Sequence, residues 1–281
     1  MSDLHGNVHR YQKLFAVIVR ERPEAVFIGG DILPLTWCLH QSQDFAAEDF
    51  IDGLLLKNFL HLQGELRDAY PRVFLIMGND DCRADEPTIL AAATQGVWQY
   101  IQNRRVIFRG FDVYGYSYVP PTPFRLKDWE RYDVSRYVDP GAVSPEEGIR
   151  SVPVPEEEKK YATIQGDLER LTGRVDLSRA IFLFHSPPYK TNLDLSTLEP
   201  KMVDHVPLDR HLGSIAIRRF IEARQPLLTL HGHIHEAATV SHSWRDVIGR
   251  TFCFSAAHDG PELALVRFDP EYLESATREL I

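Results

Sequence analysis

Cysteine is scarce in this chain of 281 residues, and the three cysteines, Cys38, Cys82 and Cys253, form no Cys-x-x-Cys pair. An odd number of widely spaced cysteines is typical of reduced thiols in an intracellular protein. Long apolar runs are also lacking, because none approaches the roughly 18 residues of a membrane span and no signal-peptide core follows the N-terminus. The sequence therefore predicts a cytoplasmic protein without a membrane partner.

Blocks of lysine and arginine are lacking as well. The chain has 31 basic and 40 acidic residues, which give a formal net charge of −9. Binding to polymer nucleic acid needs clustered positive charge along many phosphates. We therefore expect no polymer nucleic acid as a partner, whereas a small phosphorylated substrate is compatible with this charge if a metal neutralises it locally.

The length suits one large domain or two small ones, and without an internal repeat we predict a single domain over residues 1–281. Residues 117–160 are rich in proline and form a predicted insertion in that domain. Its Trp129, Tyr132 and Tyr137 indicate that the insertion packs on the rest of the domain as a lid or a cleft wall. No pattern in the sequence sets an oligomeric state.

Short apolar runs alternate with helical periodicity along the chain. Strands are predicted at 25–28, 72–77, 180–184 and 226–230, and helices at 8–20, 45–70, 156–171 and 209–224. Asn7 is a suitable N-cap for the first helix. This order predicts a layered α/β fold with mostly parallel central strands, whose site lies at the carboxyl ends of the strands.

Three histidines, His231, His233 and His235, follow the last of these strands at alternate positions. Residues two apart in an extended chain point the same way, so all three are expected on one side. A lone histidine at a strand end is usually a polar cap. Three together favour a metal, since buried imidazoles are costly without a partner.

Other predicted strand ends also carry polar residues that can bind metal. The full set is Asp3 and His5, then Asp31, then Asn79 and Asp80, then His185, and finally His233 and His235. Taken singly, each is more typical of a turn or a cap. Their combination of carboxylate, amide and imidazole suits Mn²⁺, Fe, Co²⁺, Ni²⁺ or Zn²⁺. The ligands exceed the need of one ion, and two ions about 3.5–4 Å apart that share a carboxylate would use them all.

In order and spacing, these blocks resemble the five signature blocks of the calcineurin-like metallophosphoesterase superfamily, especially its small prokaryotic members. The resemblance covers most of the chain and implies a four-layer α/β-β/α sandwich of two mixed β-sheets flanked by helices. It also implies two divalent ions, most often Mn²⁺. The implied ligands are Asp3, His5 and His235 for one ion, Asn79, His185 and His233 for the other, and Asp31 for both.

The sequence departs from the family where a histidine usually follows the Gly-Asn pair, because Asp80 stands there. A carboxylate with an ordinary pKa of about 4 is a poor general acid at neutral pH, unless burial or a neighbour such as Asp81 raises the pKa. Alternatively, Asp80 only orients Asn79 or a water. Asn79 and Asp80 are the catalytic candidates, and the departure favours phosphodiesters, nucleotides or activated aryl esters as substrates.

A second departure lies at the start, where the family has a buried strand before the first Asp-x-His. Here only Met1 and Ser2 precede Asp3. We expect either that this strand is dispensable or that the start as written omits it, in which case Asp3 and His5 are poorly held.

Three further side chains lie near these blocks. Arg83 is a candidate phosphate ligand or a surface arginine. His231 is expected behind the ligands, and His258 is expected in a turn.

The sequence as a whole predicts a dinuclear metal-dependent phosphoesterase that acts on phosphodiester or nucleotide-type substrates by a metal-activated hydroxide. A phosphomonoesterase is the first alternative. The second is a non-catalytic scaffold protein that keeps the fold, although a scaffold has no need of a full ligand set.

Overall fold

The computed structural model describes residues 1–34, 50–197, 202–203, 206–207 and 209–281. Residues 45–49 of one predicted helix and Cys38 lie outside these ranges. The helices are α1 (Val8–Glu21), α2 (Lys57–Leu66), α3 (Glu86–Ala93), α4 (Glu156–Tyr161), α5 (Ile164–Thr172), α6 (Ile215–Arg224) and α7 (Ala237–Ser241). A π-helical segment, Ile51–Leu56, leads directly into α2.

The strands form two larger sheets and two short antiparallel pairs. They are β1 (Ala25–Gly29), β2 (Arg72–Ile76), β3 (Gln99–Tyr100), β4 (Arg104–Phe108), β5 (Phe111–Tyr116), β6 (Ala180–Phe184), β7 (Met202–Val203), β8 (Val206–Pro207), β9 (Leu228–His231), β10 (Arg245–Ile248), β11 (Thr251–Ser255), β12 (Ala264–Arg267) and β13 (Thr277–Leu280). The first sheet has the order β1-β2-β3 and is parallel. The second has the order β10-β11-β9-β6-β5-β4, with parallel central strands and antiparallel outer pairs.

Alternate side chains of each central strand enter two different hydrophobic cores. On β2, Phe74 and Ile76 belong to the core between the sheets, whereas Val73 and Leu75 belong to the core under the helices. On β6, Ile181 and Leu183 face inward in the same way. Burial on both faces explains why these strands are continuous apolar runs. Helices therefore cover the outer face of each sheet, and the predicted four-layer α/β fold is confirmed.

The first six residues run beside β1. Gly29 N–H donates to Met1 O at 2.9 Å, Asp3 N–H to Gly30 O at 3.0 Å, and His5 N–H to Asp31 O at 2.7 Å. Asn7 then caps α1 as predicted, accepting from His9 N–H at 3.0 Å. These bonds fix the backbone of Asp3 and His5 beside β1.

Residues 117–160, which were predicted from the sequence to be an insertion, contact other parts of the chain. Trp129 and Tyr132 are buried, whereas Tyr137 is 67% exposed. Asp128 accepts from Arg83 N–H at 2.8 Å, which joins the insertion to the loop after β2. The insertion thus forms a wall beside that loop.

The structure corrects expectations about a cysteine and about the start of a helix. Cys82 is disulfide-bonded, so it is not the reduced thiol that cysteine spacing suggested, while Cys253 is a buried free thiol. The argument for a reducing compartment therefore fails at Cys82. The helix predicted from residue 209 begins only at Ile215, after the Ser214 cap. Within the described ranges, none of the helices is long and apolar enough to cross a membrane.

Candidate metal centre

The polar residues predicted as ligands lie directly after four strands that end at the same edge of the sandwich. Asp31 follows β1, Asn79 follows β2 and His185 follows β6. His233 and His235 follow β9. Parallel strands place their carboxyl ends at one edge, which brings these side chains together. The segment beside β1 adds Asp3 and His5 to the same place.

One group consists of Asp3, His5, Asp31 and His235, whose ligand atoms all lie within 4.8 Å of one another. His5 Nε2 is 3.1 Å from His235 Nε2, and His235 Nε2 is 3.4 Å from Asp3 Oδ1. Atoms that bind one ion at about 2.0–2.2 Å lie within about 4.4 Å of each other. The group therefore needs only small side-chain rotations to surround a cation.

A second group forms around His185, which is fully buried. Its Nδ1 lies 2.8 Å from Gly29 O and donates to that carbonyl, which leaves Nε2 as the atom that could bind a metal once it is deprotonated. Nε2 is 3.0 Å from Asn79 Oδ1 and 3.1 Å from Asp31 Oδ2. The His233 ring lies 5.3 Å from the His185 ring, centroid to centroid. Asp31 thus borders both groups.

The charges and unpaired atoms of the site fit a divalent cation. Asp3 Oδ2 and His5 Nδ1 are buried and have no hydrogen-bond partner among the residues that the structure describes. Burial alone would lower the pKa of His185, but the nearby Asp31 carboxylate raises it to about 10. Burial would likewise raise the pKa of Asp3, which His235 nevertheless holds well below its usual range. Such a field stabilises positive charge, and the donor set suits a first-row divalent ion.

Several of these residues adopt left-handed backbone conformations, which are uncommon outside glycine. The φ angles are 57° at Asp3, 45° at His5, 51° at Asp31 and 73° at His233. Gly78 is required for a different reason, since a Cβ there would lie 2.2 Å from Asp31 Oδ1. Strained residues and close approaches of this kind cluster at functional sites.

Asp81 joins two loops of the site, a role that the sequence did not reveal. Its buried carboxylate accepts from Ile32 N–H at 3.0 Å, Leu33 N–H at 2.8 Å and Gly78 N–H at 2.8 Å. The first two follow Asp31, and the third precedes Asn79. Asp81 therefore fixes the position of these two candidate ligands relative to each other, through partners that lie 48 and 49 residues away in the sequence.

Asp80 lies at the rim of the site with a side chain that is 26% exposed. Its Oδ1 accepts from Asn79 Nδ2 at 3.0 Å, and its Oδ2 is 3.8 Å from His5 Nδ1. Burial and the negative charge of Asp31 raise the pKa of Asp80 to about 7. Divalent cations at the two groups would act in the opposite direction, because positive charge favours the carboxylate.

Three nearby residues have structural partners. Arg83 Cζ lies 5.6 Å from the centroid of the Trp129 ring, and Arg83 Nε is 3.6 Å from Glu86 Oε2. His258 Nε2 is 2.9 Å from Glu262 Oε2. Arg10, which the sequence did not single out, donates to Asp3 O at 2.6 Å and also to Gly260 O.

The expectation that three alternate histidines share one side is wrong for His231. Strand β9 ends at His231, and the left-handed backbone of His233 breaks the alternation. His231 is buried against Phe184, bonded to Ser186 O at 2.9 Å and to Thr229 Oγ1 at 2.7 Å. It therefore lies behind the ligands, which is the other position expected for it.

Comparison with known proteins gives the same fold. The structure is similar to TT1561 of Thermus thermophilus, with 15% sequence identity, a TM-score of 0.54 and coverage of 100% of this chain and 96% of the other. It also matches a dimetal phosphatase from Danio rerio, with 14% identity, a TM-score of 0.48 and coverage of 94% and 90%. No functionally curated protein matches the sequence. At 15% identity, the similarity to TT1561 concerns the fold alone.

The sequence itself matches the family model described as calcineurin-like phosphoesterase over residues 1–237. That range includes every residue of the two candidate ligand groups. The chain belongs to the calcineurin-like phosphoesterase family.

Proposed function

We propose that the protein is a dinuclear metal-dependent phosphoesterase that hydrolyses small phosphodiester or nucleotide-type substrates. The observation that carries the proposal is the position of Asp31 between two ligand groups. Its carboxylate belongs to the cluster with Asp3, His5 and His235, and its Oδ2 is also 3.1 Å from His185 Nε2. A carboxylate shared in this way is what two neighbouring ions need.

In this proposal each group holds one ion. Asp3, His5 and His235 bind the first, Asn79, His185 and His233 bind the second, and Asp31 binds both. Mn²⁺ is the proposed ion, and the same donors also suit Fe, Zn²⁺, Co²⁺ or Ni²⁺. When bound, such a pair supplies Lewis-acid stabilisation of a phosphoryl group and lowers the pKa of water to about 7.

The residues around the ligands determine which substrates are favoured. Asp80 lies at the rim of the site and accepts from the Asn79 amide group. It thereby orients the Asn79 side chain so that Asn79 Oδ1 faces His185. As a carboxylate beside bound cations, Asp80 does not protonate a leaving oxygen at neutral pH. Substrates whose leaving group needs little protonation are therefore favoured, which is the physical reason for preferring phosphodiesters to alkyl phosphomonoesters.

The insertion at 117–160, as part of a single domain of residues 1–281, is the proposed source of substrate specificity. It meets the site where Asp128 accepts from Arg83 N–H, four residues after Asn79. The Arg83 side chain lies against Trp129 and near Glu86 rather than toward the ligands. Arg83 is therefore proposed to shape the wall, with phosphate contact as its weaker alternative.

The test combines metal analysis with two substrates. We expect purified protein to contain two metals per chain and to hydrolyse bis-p-nitrophenyl phosphate faster than p-nitrophenyl phosphate in the presence of Mn²⁺. Faster hydrolysis of the monoester would favour a phosphomonoesterase. Fewer than one metal per chain and no turnover of either substrate after Mn²⁺ addition would instead favour a scaffold protein.

A further inference from the structure

Arg10 lies in the first turn of α1, and its guanidinium group contacts both Asp3 and residues 256–262, the β11–β12 loop. Its Nη1 donates to Asp3 O at 2.6 Å, and its Nη2 donates to Gly260 O. Its Nε is buried and has no hydrogen-bond partner within the described ranges. The two terminal nitrogens therefore hold together two carbonyl groups that are far apart in the sequence.

Asp3 has a backbone conformation that needs such support. Its φ angle of 57° lies in the left-handed region, which is unfavourable for a residue with a Cβ. Its N–H donates to Gly30 O at 3.0 Å. Among the residues that the structure describes, its carbonyl accepts from Arg10 alone. The backbone of this candidate ligand is thus held on both sides, and one of the two holds is the Arg10 side chain.

The β11–β12 loop presents the carbonyl of Gly260 from a tightly packed position. His258 Nε2 lies 2.9 Å from Glu262 Oε2. A Cβ at Gly260 would collide with both of these atoms, so the two side chains pack directly on Gly260. A close-packed segment of this kind does not shift freely. Arg10 therefore connects Asp3 to a fixed point.

The same loop is joined to the segment that carries His235. Asp259 Oδ1 accepts from Thr239 Oγ1 at 3.1 Å, and Thr239 belongs to α7, which begins two residues after His235. His235 Nε2 in turn lies 3.4 Å from Asp3 Oδ1. These contacts form a closed ring, which runs from Asp3 through Arg10, the loop and α7 back to His235.

The charge of Arg10 opposes the binding of a cation beside Asp3, because like charges repel each other. Any benefit to a bound ion must therefore come from the position that Arg10 gives to Asp3. A guanidinium group suits this role, since its planar fork donates to two acceptors at once, whereas a lysine ammonium is a compact charge on a flexible stem. Arginine and lysine thus share the charge at this position, but only arginine has the geometry.

We propose that Arg10 is a positioning residue for the first of the two ions, the one assigned to Asp3, His5 and His235. This inference rests on the proposed dinuclear function and deepens it. Arg10 holds the Asp3 backbone so that the carboxylate stays beside the two imidazoles. Groups that orient metal ligands typically contribute about 10–100-fold to metal affinity.

The experiment measures Mn²⁺ binding to protein that has been freed of metal, with electron paramagnetic resonance of the unbound Mn²⁺ as the signal. Arg10→Lys keeps the charge and removes the fork. We expect it to weaken one of the two Mn²⁺ sites by about 10–100-fold and to leave the other within about threefold. Arg20→Lys is the matched control, because the Arg20 side chain lies on the same helix, is 64% exposed and pairs with the adjacent Glu21. It should leave both affinities unchanged.

Two further variants separate position from charge and assign the weakened site. Arg10→Met removes the charge as well as the fork, so it should weaken Mn²⁺ binding if position dominates and strengthen it if charge dominates. In a His235→Ala background the first ion already lacks a ligand. There, Arg10→Lys should change the affinity for the remaining Mn²⁺ by less than about twofold.

Wild-type affinities at both sites in Arg10→Lys, or tighter binding in Arg10→Met, would overturn the proposal. Equal weakening of both sites together with a lower melting temperature would also overturn it, because a general loss of stability would then explain the effect. Wild-type protein that binds no Mn²⁺ would refute the dinuclear function, and this inference with it. Failure of the Arg10 proposal alone leaves two Mn²⁺ sites in the wild type, so the two failures are distinguishable.

Discussion

Substitution of Asp81 tests whether the two central ligand loops are held together as the structure indicates. Its carboxylate accepts from the backbone N–H groups of Ile32, Leu33 and Gly78. An unsatisfied buried donor costs about 1–3 kcal/mol, so Asp81→Ala would lose about 3–9 kcal/mol if the effects add. Whole proteins are stable by only about 5–15 kcal/mol, so the alanine variant would be close to unfolding.

Asp81→Asn is therefore the informative variant. The amide keeps one acceptor oxygen for Ile32 and Leu33 but presents an NH₂ group to Gly78 N–H, which should cost about 1–3 kcal/mol. Urea unfolding with a fixed m-value measures the loss. Asp80→Asn is the matched control, because Asp80 is partly exposed and, within the described part of the chain, its carboxylate accepts from Asn79 alone. It should change the free energy of unfolding by less than about 1 kcal/mol. Equal losses in the two variants would refute the reasoning.

Three further predictions concern the site and its supports. Asp31→Asn should fold but lose most turnover and at least one bound metal. If elemental analysis of the variant gave the wild-type metal content, the proposal that Asp31 binds both ions would be contradicted. Burial lowers the pKa of His231 in the folded protein to about 4. The contribution of neutral His231 to the free energy of unfolding is therefore complete above its pKa in the unfolded chain, about 6.5, and is lost as the pH falls toward 4. Between about pH 7 and pH 5, urea unfolding should therefore show about 2 kcal/mol more loss in the wild type than in His231→Gln. Lys127→Met, which leaves the buried Glu130 carboxylate without its cationic partner, should cost about 3–5 kcal/mol in free energy of unfolding, and adding Glu130→Leu should recover part of this loss in the same assay.

The strands, and the proximity of the candidate ligands to one another, were readable from the sequence because both depend on local patterns. The apolar run at 180–184 coincides with β6, since a strand buried on both faces needs apolar residues throughout. The polar residue that follows such a strand lies at the carboxyl edge of its sheet. His185 and Asn79 were therefore placed near each other, although 106 residues separate them.

Features that depend on distant partners were not readable in this way. The predicted helix at 209–224 has its first residues in a loop, because buried Asp194 accepts from Gly213 N–H at 3.1 Å and lies 2.8 Å from His211 Nδ1. Asp133, in the insertion, accepts from Ile215 N–H at 2.6 Å and so fixes where α6 begins. Neither acceptor is adjacent in sequence to the residues that it organises, and helical periodicity alone carries no information about them.

The left-handed backbone at Asp3, His5, Asp31 and His233 has the same origin in distant contacts. A non-glycine residue in this region costs roughly 1–2 kcal/mol, so the four together cost an amount comparable with the stability of a whole domain. They persist because each is fixed from another part of the chain. His5 N–H donates to Asp31 O, and His233 N–H donates to Asp3 Oδ1 at 3.0 Å. The candidate ligands therefore hold one another's backbones, and the geometry of the site is a property of the assembled loops rather than of any single sequence block.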